Sequence, residues 1–67
     1  MAIAKVTEII CGSPKSFKDA IDSGIARASK TLKNIEGAWV QVQSLVLSDG
    51  KIKEYRVHLK VTFVLED

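Results

Sequence analysis

Residues 44–55 read SLVLSDGKIKEY. An Asp-Gly pair between two alternating runs is the strongest short-range hairpin signal, because both residues tolerate the positive φ of a type I′ turn. Asp49-Gly50 is therefore expected to join two antiparallel strands, over residues 39–47 and 51–65. Pairing Ser48 with Lys51 extends the register along the whole hairpin. Val40 then falls opposite Leu59, Val42 opposite Val57 and Ser44 opposite Tyr55. That row is apolar, continues through Val61 and Phe63, and is expected to face the interior. The other row pairs Trp39 with Lys60, Gln41 with His58 and Gln43 with Arg56. The only tryptophan of the chain thus stands among amides and cations.

Upstream, residues 3–10, IAKVTEII, carry the β-branched residues of a strand. CGSPKSF then breaks the pattern. Ser13 is suited to accept a hydrogen bond from an early helical N–H, and Pro14 fits the first helical position, where its missing donor costs nothing. Beyond it, Phe17, Ala20, Ile21, Gly24, Ile25, Ala28 and Leu32 recur at spacings of three and four. They form one apolar stripe on a helix expected to run to about Lys33. Lys15 with Asp19 and Lys18 with Asp22 lie four apart on the solvated side. Gly24 costs about 1 kcal/mol within a helix, which close approach to a sheet would explain. Asn34 suits the helix end.

The order strand, helix, strand, strand has a natural solution. A right-handed crossover aligns strands one and two, and the tight hairpin opposes strands two and three. The fold expected is therefore α+β, a β-α-β-β chain whose three-stranded antiparallel sheet, order 1-3-2, wraps around one helix. Residues 1–67 make a single domain.

A chain of 67 residues buries too little surface to be comfortable alone, and self-association is one remedy. Disulfides are not available, since Cys11 is the only cysteine, and one Cys with one His argues against a Cys/His metal cluster. No stretch has the length and apolarity of a membrane span, and MAIAKVTEII lacks the apolar core of a secretory leader. The expectation is a cytoplasmic protein that engages no membrane. The net charge of +2 comes from ten basic residues interleaved with eight acidic ones, unlike the basic stripe of a nucleic-acid binder.

Three readings of Trp39 follow from its place on the polar row. It packs against another subunit, or it forms a flat-ring ligand site with the Gln/Arg/His row at a subunit interface, or it is an incidental exposed aromatic. Arg56 reads either as an intersubunit ion pair or as a donor to ligand carbonyls or phosphate. His58 reads as a hydrogen-bonded surface or interface histidine rather than a catalytic base, for no Ser, Cys or carboxylate is placed to make it half of a nucleophilic pair. Cys11 reads as a small buried hydrophobe. Glu66 and Asp67 read as a solvated tail or as the partners of a neighbour's base. No constellation supports catalysis, so a non-enzyme is expected.

The β-α-β-β order, with VTEIICGSPKSFKDAI, ARASKTLKNI and the ending EYRVHLKVTFVLED, resembles the dodecins over essentially the whole chain. The resemblance implies a hollow homododecamer of subunits that each wrap a three-stranded sheet around one helix. It also implies binding, storage or sequestration of a flavin (FMN, FAD, riboflavin or lumichrome) or a similar planar aromatic ligand. Flavin-binding dodecins hold pairs of isoalloxazine rings between tryptophans at a two-fold interface, and a last-strand glutamine contacts the ring edge. Laid on without gaps, the family tryptophan falls on Gly37 and that glutamine on Arg56. Trp39 is displaced by two residues, which keeps it on the same face. The ligand residues that follow are Trp39, Gln41, Gln43, Arg56, His58 and Gly37. A calcium-associated branch of the family also has Tyr-Arg in the last strand, as Tyr55-Arg56 here. Calcium requires several oxygen ligands, and the row beside Trp39 offers amides and cations. The alternative to flavin storage is a flavin-free, ion-binding or structural assembly in which Trp39 fills an interface.

Overall fold

A computed structural model of the chain describes residues 3–65; Glu66 and Asp67 lie outside the described residues. Four elements follow in order: β1 Ile3–Ser13, α1 Phe17–Thr31, β2 Ile35–Ser48 and β3 Lys51–Leu65. The sheet has the order β1-β3-β2, and both pairings are antiparallel. Fold class and strand order are those expected. The hairpin turn is also as expected: Asp49 and Gly50 have φ of 52° and 74°, and Ser48 pairs with Lys51.

Three boundaries differ from expectation. β1 does not stop at Ile10, because its ladder with β3 continues to Ser13 opposite Tyr55. With Ser13 still in the strand, the helix begins later. Ser16, extended at φ −171°, caps it by accepting from the Asp19 backbone N–H at 2.9 Å, a bond worth about 1 kcal/mol. Ser13 is nearly fully buried and braces the turn instead. Its hydroxyl donates to Asp19 Oδ2 at 2.6 Å and accepts from the Lys15 N–H at 2.9 Å. Asp19 is thus taken by Ser13, while Lys18 and Asp22 form the expected pair at 2.7 Å. The helix closes at Thr31, with the Leu32 N–H donating to the Ala28 carbonyl at 2.8 Å. Asn34, at φ 60°, turns the chain into β2, which begins at Ile35 rather than at 39.

The helix lies on β1 and β3. Ala20 meets Val57, Leu59 and Val61 in the buried core, flanked by Ile9, Cys11, Phe17, Ile21, Ile25, Leu32 and Ile35. Each fully buried Val or Leu contributes about 1.5–3 kcal/mol. Phe17 meets Tyr55 edge to face, ring centres 5.2 Å apart. This core is small for the apolar content of the chain. Ten large apolar residues remain exposed among the described residues. The chain is also elongated, 51 × 19 × 14 Å with a radius of gyration of 13.8 Å, where a compact domain of this length has about 11 Å.

Candidate ligand site

The sheet face opposite the helix is built from β3 outward. Val57, Leu59 and Val61 are buried under the helix, so pleat alternation sends Arg56, His58, Lys60 and Thr62 to the other side. Residues paired across a ladder share a face. On that uncovered face Glu8, Lys60 and Trp39 form one row across the three strands. Ile10, His58 and Val42 form the next, and Gly12, Arg56 and Ser44 the one after it. Val6, Thr62 and Gly37 flank Trp39 on its other side. The Trp39 side of this face is where sequence reasoning placed it: Trp39 pairs with Lys60 and Val40 with Leu59.

The row beyond Trp39 is corrected. One extra residue of β2, Gln41, interrupts the ladder between Val40 and Val42. A bulge of this kind reverses the alternation that follows it. Val42 therefore pairs with His58, Gln43 with Val57 and Ser44 with Arg56, where Val42–Val57, Gln41–His58, Gln43–Arg56 and Ser44–Tyr55 were expected. Gln43 is thereby carried to the helix side of the sheet, at an edge strand the helix leaves exposed. Gln41 is the extra residue itself. A compensating irregularity lies near the turn, between Val46 and Leu47, which is why the Ser48–Lys51 pair survives. Trp39 consequently has apolar neighbours on its own face, Val42 and beyond them Ile10 and Val6, all exposed. The indole itself is 49% exposed.

The charged groups are held unequally. Arg56 is engaged by Glu54, whose Oε2 accepts from Nε at 2.9 Å and lies 2.8 Å from a terminal guanidinium nitrogen. Gly12 makes that possible: a Cβ there would stand 2.5 Å from the Glu54 carboxyl carbon. His58 Nδ1 lies 3.9 Å from Glu8 Oε2. Beside Gly37 the space is open, with no heavy atom within 4 Å of where its Cβ would be. Trp39, Gly37, His58 and Arg56 are thus brought to one face, whereas Gln43 is not. Among the described residues no three His, Cys, Asp or Glu side chains gather where they would hold a metal ion.

With this arrangement in view, comparison with known proteins is decisive. The family profile described as Dodecin matches residues 3–66. The chain belongs to the dodecin family. A dodecin of Thermus thermophilus is 33% identical over 67 residues, covering 97% of this chain and 94% of that protein. The structure of a dodecin from Streptomyces davaonensis superposes with a TM-score of 0.93 at 38% identity, covering 98% of this chain and 97% of the other. A calcium dodecin of Mycobacterium tuberculosis, described as having a novel calcium-binding site, superposes with a TM-score of 0.84 at 34% identity, over 96% and 91% of the two chains. Membership of this family, together with the exposed apolar face, implies self-association.

Sequence reasoning passed over Glu8, Gly12 and Glu54, and gave Lys60 no role. Lys60 was already named as the residue opposite Trp39, and its register carried the signal. The β1–β3 register had no turn to set it, so Glu8 and Gly12 had no visible place.

Proposed function

We propose that this dodecin is a cytoplasmic, non-enzymatic binding protein that stores or sequesters a flavin or similar planar aromatic ligand. The ligand lies between subunits of a hollow homododecamer, against Trp39. The observation that carries this reading is the indole of Trp39, half-exposed on the sheet face the helix leaves bare. A large ring left wet is costly, and a flat ligand or a neighbouring subunit would cover it. Gly37 pairs with Thr62 on the same face, and the open space above it leaves room for a ring lying beside the indole. His58, one row along from Trp39, is a candidate to meet the ring edge, with Gln41 the unpaired residue of the bulge between those rows.

The residues fit a flavin in part only, and the misfit lies at two positions. Gln43 stands on the other face, and the Arg56 guanidinium is already taken by Glu54. We therefore assign ring recognition to Trp39, Gly37, Gln41 and His58, and remove Gln43 from the site. A bound flavin would supply only an excited state to be quenched; the indole stacked on it would do the quenching, which protects against flavin photochemistry. The related calcium dodecin does not shift this reading, because among the described residues paired across this face only Glu8 and the Arg56-bound Glu54 carry carboxylates, and calcium takes six or more oxygens.

The test is titration of ligand-free protein with FMN, FAD, riboflavin and lumichrome, following flavin and tryptophan emission together. Mutual quenching at micromolar or lower ligand supports the reading. Absence of quenching with all four supports the other reading, a flavin-free assembly in which Trp39 is interface filler.

A further inference from the structure

Three basic side chains, Arg56, His58 and Lys60, project from β3 on the uncovered face, and the structure treats them differently. Arg56 is paired with Glu54 at 2.8 Å, and His58 has the Glu8 carboxylate at 3.9 Å. Lys60 has Glu8 directly opposite on β1 and Trp39 directly opposite on β2. Yet among the described residues no carboxylate lies within 4 Å of its ammonium. Lys60 is half-buried, and a lysine can lay its methylenes on apolar surface while keeping its charge at the rim. We propose that Lys60 is the anion-recognising residue of the Trp39 site, and that the site selects a flavin bearing a phosphate over a neutral one.

This rests on the flavin reading above and adds a ligand class to it. The physical case is one of available charge. A ring stacked on Trp39 places its substituents within the reach of the side chain one strand over, since paired residues stand about 5 Å apart. A flexible ammonium with three donors is well matched to a phosphate on a mobile chain, whereas the planar guanidinium of Arg56 is already committed. Neutral riboflavin would gain nothing from Lys60, while FMN would gain a charge-assisted contact.

The experiment compares FMN with riboflavin in three proteins: the natural chain, Lys60→Gln and Lys60→Arg, each first shown by light scattering to assemble. The natural protein is expected to prefer FMN about fivefold or more, the range of a partly exposed ion pair, with the preference shrinking as salt is raised. Lys60→Gln should bring the FMN-to-riboflavin ratio close to one, and Lys60→Arg should restore most of it. Binding of both flavins with equal affinity, or a preference that survives Lys60→Gln, overturns the assignment of Lys60 and leaves the flavin reading standing. Failure of either flavin to bind the natural protein overturns the reading on which this assignment depends, and the assignment with it.

Discussion

A Cβ placed on Gly24 of the helix would stand 2.5 Å from the Cys11 sulfur and 2.9 Å from the Cys11 Cβ on the first strand. Helix and sheet approach that closely here, so a residue poor in helix propensity is kept in mid-helix. Gly24→Ala gains about 1 kcal/mol of propensity but forces helix and strand apart, which costs about 1–3 kcal/mol. We expect a net loss of stability by denaturant titration. Cys11→Ala removes the sulfur, the nearer of the two atoms, and keeps the Cβ at 2.9 Å, so in the double variant the penalty of Gly24→Ala should shrink without vanishing. Additive effects of the two changes would contradict the contact.

Burial pushes the Cys11 thiol pKa up, because the thiolate would lose hydration beside Gly24 and the core. The folded chain therefore holds this proton more firmly than the unfolded chain. The stability this provides is whole below the unfolded thiol pKa, about 8.5, and is lost as pH rises through that value towards the higher folded one. Alkylation by iodoacetamide at pH 8 should be slower than that of a free cysteine peptide, and Cys11→Ala should flatten the alkaline limb of a stability profile. Equal alkylation rates would contradict this.

At the hairpin, Gly50 has φ of 74° and no heavy atom within 4 Å of a built Cβ. A substitution there meets no neighbour, so its cost isolates the backbone. Gly50→Val should destabilise by about 1–2 kcal/mol, since a β-branched residue fits a left-handed conformation badly. An unchanged thermal midpoint would mean that the turn is not type I′.

The hairpin was legible because Asp49-Gly50 fixes a turn, and the strand order because a right-handed crossover combined with that hairpin leaves 1-3-2 as the natural solution. The turn register reaches Trp39 because the irregularity at Val46/Leu47 and the bulge at Gln41 cancel. Between those two points the register is shifted. Gln41 adds a residue to β2 without disturbing the Val-Gln alternation, so nothing in the pattern from Trp39 to Gln43 marks the reversal. The consequence appears only at Leu45-Val46-Leu47, where three consecutive apolar residues no longer obey a period of two. The helix start failed for a different reason. Ser13 and Ser16 are both competent caps, and the choice between them depends on how far β1 stays paired with β3. Ser16 with Asp19 three residues on was the capping arrangement to weigh against Ser13-Pro14. Arg56 was legible as a face residue but not as a spent one, because the Gly12 opening that seats Glu54 is a property of the third dimension.

Self-association is expected to be large and closed. Ten large apolar residues exposed among the described residues and a radius of gyration of 13.8 Å suit a subunit that associates with copies of itself. Light scattering should give a mass near twelve subunits of 7.3 kDa each, stable on dilution. A 7.3 kDa particle that persists at all concentrations would contradict the assembly.

The most direct measurement is flavin titration of Trp39→Ala beside the natural protein, with the mass of both followed by light scattering. If Trp39 is the stacking platform, the variant keeps its assembled mass and loses about 1–3 kcal/mol of flavin affinity, the range of base–aromatic stacks. An assembled Trp39→Ala variant that binds flavin as tightly as the natural protein would contradict it.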